Sequence, residues 1–112
     1  MSMDLKELTA EMHRFVATKG WYEPSSPRQQ TSRNLAISLS LEAAEVLEHF
    51  QWSEQLKDPQ ALGEELADVA LYLLQLASVN QIDLEQAILE KLKKNYTREW
   101  EMPNSSGGEN DH

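Results

Sequence analysis

The sequence contains no cysteine. A disulfide framework and a thiolate metal site are therefore both excluded. It has no apolar run long enough to span a bilayer, so neither a transmembrane helix nor a membrane partner is expected. The opening stretch MSMDLKELTAEM is acidic and amphipathic, without the basic start and apolar block of a secretory signal. These absences point to a cytoplasmic protein. Strand signals are missing as well, since no window shows sustained alternation or enrichment in β-branched residues. Basic residues are in deficit, with 10 Lys and Arg against 19 Asp and Glu and a net charge of −9. Duplex nucleic acid is held mainly by cations on phosphates, so no nucleic-acid partner is expected. A phosphorylated small molecule is still compatible with this charge, because a divalent metal can supply positive charge locally. Solubility alone would also account for the acidity.

What the chain does contain is helical periodicity. At 112 residues, 40% hydrophobic and 26% charged, it has the size and composition of one globular domain. Leu5, Leu8, Met12, Phe15 and Val16 fall at spacings of three and four, which predicts an amphipathic helix over 3–19 ended by Gly20. WYEPSSPRQQ, residues 21–30, has two prolines, two serines and no period, and reads as a loop. Thr31 or Ser32 caps a second helix expected to run to about Trp52, with the apolar stripe Leu35, Leu39, Ala43, Val46, Leu47 and Phe50. Asp58 before Pro59 opens a third helix bearing Leu62, Leu66, Val69, Ala70, Leu73, Leu74 and Ala77, broken at Asn80-Gln81. Asp83 with Gln86 resembles a capping box, opening a fourth helix through Leu84, Ala87, Ile88, Leu92 and Tyr96. The expectation is an all-α, four-helix bundle-like domain over 1–102, with Pro103 and NSSGGENDH forming a disordered tail over 103–112.

The chemistry concentrates in two segments. LEAAEVLEHFQW, residues 41–52, places Glu42 and Glu45 one turn apart on one side of a helix. Glu65 and Asp68 repeat that spacing on the third helix and hold the same position at the margin of its apolar stripe. Helices joined by a short connection pack antiparallel, so the two margins can face each other and four carboxylates converge. Like charges this close cost on the order of several kcal/mol per contact at intermediate dielectric. A hard divalent cation relieves that cost, and Mg²⁺ or Mn²⁺ suits an all-oxygen site. The alternative is that all four acids are ordinary solvated helix charges. A di-iron bundle would need histidine three residues after a glutamate. The residue three before His49 is Val46, and three after Glu65 comes Asp68, so that chemistry fails on the residues. His49 reads as a partly exposed helix residue, and His13 and His112 carry no signal.

EAAEVLEHFQW, then GEELADVALYLL, then KLKKN form an ordered set. On these motifs the chain, over roughly 33–95, resembles the MazG-like all-α nucleotide pyrophosphohydrolases, most closely their dCTP pyrophosphatase-like branch. The resemblance implies hydrolysis of a (deoxy)nucleoside triphosphate, dCTP or a modified dNTP, to the monophosphate and pyrophosphate. It implies that Glu42, Glu45, Glu65 and Asp68 bind Mg²⁺, with Mn²⁺ as a substitute, and help activate the attacking water. Glu48 is a further ligand or base, or an exposed helix charge. Trp52 matches the tryptophan that stacks on the base. Lys91 and Asn95 match a phosphate- and sugar-contacting pair, with Lys94 and Arg98 adding positive charge nearby. Asn34 belongs to the Arg-Asn that opens the second helix and is grouped with the substrate contacts. Proteins of this kind build their sites between subunits, so a homodimer or homotetramer is expected.

Three features depart from the branch. The histidine often found shortly before Arg-Asn is absent from Arg28-Gln29-Gln30-Thr31-Ser32. Arg98-Glu99-Trp100 replaces the usual basic residue, tyrosine and proline, and the loop bearing Trp21 and Tyr22 has its own length and composition. All three bear on base and sugar recognition. The competing functional class is a non-catalytic helical interaction protein whose acids are merely solvated.

Overall fold

Each of the four helices begins where a side-chain oxygen is available to the free N–H groups of the first turn. In the computed structural model, which describes residues 2–98, the helices are α1 (Leu5–Thr18), α2 (Ser32–Glu48), α3 (Pro59–Val79) and α4 (Leu84–Thr97), with no strand among the described residues. The expected tail over 103–112 lies outside them. Asp4 caps α1 and accepts from Glu7 N–H at 2.8 Å, while Glu7 Oε1 accepts from Asp4 N–H at 2.9 Å. This reciprocal box escaped the sequence reading, although Asp4 and Glu7 carry its spacing. Thr31 caps α2 and Asp58 caps α3, accepting from Asn34 and Ala61 N–H at 3.1 and 3.0 Å. Asp83 caps α4 in the same way through Gln86 N–H. The reciprocal half of that box is not formed, because the Gln86 side chain donates to Glu90 Oε2 instead.

The second helix stops earlier than its apolar stripe suggested. After Glu48 the bonds shorten to three-residue spacing, with His49, Phe50 and Gln51 N–H donating to Val46, Leu47 and Glu48 carbonyls. The helix thus ends before Trp52, which stands in the following loop, 89% exposed.

Both α1 and α3 end in a left-handed residue followed by a six-to-one bond. At α1, Gly20 has φ +75° and Trp21 N–H returns to Val16 O at 3.2 Å. The motif brings Trp21 edge-on to Phe15, with centroids 5.6 Å apart, and Arg28 covers the Trp21 ring at 4.3 Å. At α3, Gln81 holds φ +60° and Ile82 N–H returns to Ala77 O at 2.8 Å.

The α2 and α3 helices run antiparallel, with Asn80 at the end of α3 donating to Ser32 Oγ at the start of α2 at 2.9 Å. On its other side α3 meets α1 in a small core of Met12, Val16 and Leu74, joined by Leu5, Trp21 and Leu84. Much of the expected apolar stripe is not covered. Leu8, Phe15, Leu47, Leu66, Leu73, Ile88 and Leu92 are all exposed, and α4 buries none of its side chains. The helix α4 packs only on α1 and α3 and does not approach α2.

The two left-handed caps make opposite predictions. A Cβ at Gly20 would meet nothing within 4 Å, so Gly20→Ala should cost only the backbone penalty, about 1–2 kcal/mol. Gln81→Gly relieves the same penalty and should stabilise by up to about 1 kcal/mol. Urea denaturation of the two variants beside the parent protein checks the pair of signs.

Candidate active site

Glu42 and Glu45 project from the middle of α2 toward Glu65, near the start of α3. One carboxylate oxygen from each of the three lies within 4.8 Å of the others. Asp68 lies outside this set, yet close enough that its charge acts on Glu42. Glu42 and Glu65 are half-buried and Glu45 is exposed. The cluster is therefore a rim feature of the α2–α3 groove, open to solute on one side.

Electrostatics records the crowding. The Glu42 carboxyl is raised above its ordinary value of 4.5, first by burial and then by the charges of Glu45 and Asp68. Glu65 is raised too, first by a hydrogen bond with the Glu45 side chain, then by burial and the charges of Glu45 and Glu42. The partial offset comes from His49, whose charge lowers the Glu65 value. Its signal lay in the spacing, because positions 42, 45 and 49 fall within about 60° on one helical face.

A divalent ion fits this donor set. Glu42 Oε1 is shielded from solvent and accepts no hydrogen bond. An orphaned carboxylate oxygen is costly unless something positive meets it. Oxygens sharing one Mg²⁺ lie about 3 to 4.2 Å apart, so side-chain rotations that draw the three acids together by roughly one to two ångströms would let them share one ion. The donors are all hard oxygens, as Mg²⁺ and Mn²⁺ prefer.

The other sequence candidates are dispersed. Asn34 is exposed at the first turn of α2, its amide donating to Gln29 O at 3.0 Å. On α4, Lys91 is exposed and Asn95 is half-buried, with its Oδ1 shielded and unpartnered. Arg98 is half-buried at the C-cap, its N–H bonded to Asn95 O at 3.3 Å. Lys91 and Asn95 stand on α4, which packs on α1 and α3 and not on α2, the helix of Glu42 and Glu45.

A second polar group escaped the sequence reading altogether. Gln75, 3% exposed, donates from Nε2 to Gln30 Oε1 at 2.7 Å and to the Tyr22 hydroxyl at 3.2 Å. The Tyr22 hydroxyl lies 2.6 Å from His13 Nδ1, and His13 Nε2 lies 2.7 Å from Ser78 Oγ. Burial pushes the Tyr22 phenol up, and the Gln75 bond pulls it partly back. The only sequence trace of this group was a glutamine inside the apolar run Leu73-Leu74-Gln75-Leu76-Ala77.

Four helices without strands, with acids spaced by three converging across an antiparallel pair, define an all-α protein built around an acidic, cation-compatible groove. Comparisons with known proteins place it further. The model of the MazG-like family matches residues 37–111. Mouse and human proteins named dCTP pyrophosphatase 1 are each 36% identical over 104 residues, covering 85% of this chain. The chain spans only 56% of the length of those relatives. The crystal structure of a pyrophosphatase from Archaeoglobus fulgidus superposes with a TM-score of 0.68 at 33% identity, covering 87% of this chain and 93% of that one. The chain belongs to the MazG-like family. No helix among the described residues is long and apolar enough to cross a membrane.

The raised carboxyls fix a pH dependence for the metal-free protein. A carboxyl whose folded value exceeds its unfolded one binds more protons when folded. Its contribution is then fully present below about 4.5 and is lost as pH rises through the elevated value. Thermal denaturation of the chelated protein should show Tm falling from pH 5 toward neutrality, with a smaller fall in Glu65→Gln. Saturating Mn²⁺ should flatten the parent's profile.

Proposed function

We propose that the protein is a divalent-metal-dependent nucleotide pyrophosphohydrolase, converting a (deoxy)nucleoside triphosphate to the monophosphate and pyrophosphate. The observation that carries this is the orphaned, shielded Glu42 oxygen inside a three-carboxylate cluster. Surface acids of a merely solvated helix would splay apart and fill their lone pairs with water. Here the fold holds them together against their repulsion. The names of the relatives, dCTP pyrophosphatase and pyrophosphatase, support the same reaction class and favour dCTP or a modified dNTP as substrate.

In this reading Glu42, Glu45, Glu65 and Asp68 hold Mg²⁺, or Mn²⁺ in its place. When bound, the metal neutralises the phosphate oxygens and acidifies a coordinated water. Through the cation they would hold, these side chains would draw the polyphosphate to the α2–α3 rim, and one carboxylate of the set would receive the proton released as water attacks and the anhydride breaks. Positioning and charge neutralisation supply most of the catalysis in phosphoryl chemistry. Trp52, almost wholly exposed beyond the end of α2, offers a bare ring face to a base. Lys91, Asn95 and Arg98 serve the phosphates and sugar, and Asn34 lines the start of the groove.

A second copy of the chain completes the site. Ile88, Leu89, Leu92 and Tyr96 give α4 an apolar surface that no other described part of the chain covers. That surface lies beside Lys91 and Asn95, so burying it against another subunit would bring those residues to a foreign carboxylate cluster. The exposed apolar face of α4 supports a homodimer or homotetramer.

Two measurements test this. A panel of nucleoside triphosphates, assayed for pyrophosphate with Mg²⁺ and again with chelator, should show metal-dependent release. No cleavage of any nucleotide with either metal present would overturn the enzyme reading. Glu65→Gln should lose at least about a hundredfold in kcat while remaining folded. Mixing inactive Glu65→Gln with inactive Asn95→Ala should restore part of the activity, because hybrid assemblies contain one intact site. Failure to complement in demonstrated hybrids would place both halves on one chain.

A further inference from the structure

One residue on the carboxylate face of α2 is not an acid. His49 is half-buried at the C-cap of α2, where its backbone keeps helical angles of φ −66° and ψ −19°. Its N–H donates to Val46 O at 3.2 Å, so the residue is held in place just before the chain turns away. The side chain therefore continues the face that carries Glu42 and Glu45, four residues after the latter. Groups four apart on a helix stand about 5–6 Å apart at Cβ and can converge on one point. A single helix grips a metal with two side chains at this same spacing.

The register of the helix pair leads to the same place from the other side. Glu42 feels the charge of Asp68, and Glu65 that of Glu45. In an antiparallel pair, one turn forward on α2 corresponds to one turn back on α3. His49 thus comes opposite Ala61, one turn before Glu65, where α3 offers only a methyl group. The acid that His49 does act on is Glu65. The cluster accordingly has two flanks, with Asp68 acting on Glu42 at one and His49 acting on Glu65 at the other.

The two histidines of the described residues differ in what their rings already do. His13 Nδ1 lies 2.6 Å from the Tyr22 hydroxyl and its Nε2 2.7 Å from Ser78 Oγ, so both nitrogens are engaged. The His49 ring makes no hydrogen bond to another described residue. A cation at a helix C-terminus also answers the helix dipole. Any face of the last turn would serve that role, whereas His49 lies on the face of the carboxylates.

We propose that His49 supplies a nitrogen ligand to the divalent ion held by Glu45 and Glu65, making the site a mixed one that favours Mn²⁺ over Mg²⁺. This rests on the metal-dependent reading of the cluster. Mg²⁺ binds almost wholly through oxygen, whereas imidazole suits transition ions. The choice between the two metals is then set by one side chain.

The test needs no nucleotide and uses the full chain loaded with Mn²⁺. Pulsed electron paramagnetic resonance should show coupling to a directly bound nitrogen, and histidine labelled with the heavy nitrogen isotope should change that coupling. His49→Leu should lose the nitrogen signal and bind Mn²⁺ about tenfold more weakly, with Mg²⁺ affinity changed less than about threefold. His112→Ala should keep the signal and both affinities. If His49→Leu does not fold, His49→Gln, which keeps a polar side chain without a basic nitrogen, carries the test. Bound Mn²⁺ without a nitrogen signal, a signal that survives the loss of His49, or an equal fall in both affinities overturns the proposal and leaves the metal reading in place. A chain that binds neither ion defeats the metal reading and this proposal together. Nucleotide turnover is read separately, so its absence would overturn the enzyme reading without altering the ligand assignment.

Discussion

The repulsion among carboxylates on the facing margins of α2 and α3 is the constraint to which the rest of the structure answers. Left alone, Glu42, Glu45 and Glu65 would separate. Antiparallel packing of two capped helices, pinned at the far end by Asn80 and Ser32, holds them within one another's field. The consequences are Glu42 and Glu65 carboxyls raised above their ordinary value and a Glu42 oxygen with no partner. A protein selected only for stability would not retain these. The cluster is stored electrostatic strain, which a bound cation would relieve.

The same economy explains the small core. Three buried residues, Met12, Val16 and Leu74, anchor α1 to α3, while long stretches of leucine and isoleucine remain uncovered. The helices are thus well defined locally, by caps and terminal motifs, and incompletely packed globally. Local definition without full burial suits a subunit whose remaining apolar surface is shared with another copy.

Helix number, order and most boundaries were legible in the sequence because they depend on local signals. Asp58-Pro59, Thr31 and Gly20 act on the residues next to them, and they act as their chemistry requires. The end of α2 was not legible. Phe50 and Trp52 continue the apolar period, but nothing local shows that the backbone tightens after Glu48. Burial was legible only in part: periodicity identifies a face that prefers to leave water, not whether its own chain covers it. Leu47 and Ile88 obey the period and are exposed. The carboxylate spacing was readable, whereas Asp68 standing outside the closest set was not, since that depends on the register of two helices. The amide of Gln75 was nearly invisible. Its partners Gln30 and Tyr22 lie about fifty residues away in a segment without period, and only folding brings them together.

One continuous helix, α3, carries both Glu65 and Gln75, and this makes it a measuring rod. The ten-residue step between them fixes a span of about 15 Å that loop movement cannot alter. Any elongated solute that engages both ends is gauged against a fixed length of helix, a little under three turns. Change by insertion or deletion is then closed to evolution between these positions, because each added residue would swing one end by about 100° away from the groove. Substitution of side chains at either end is the route left open.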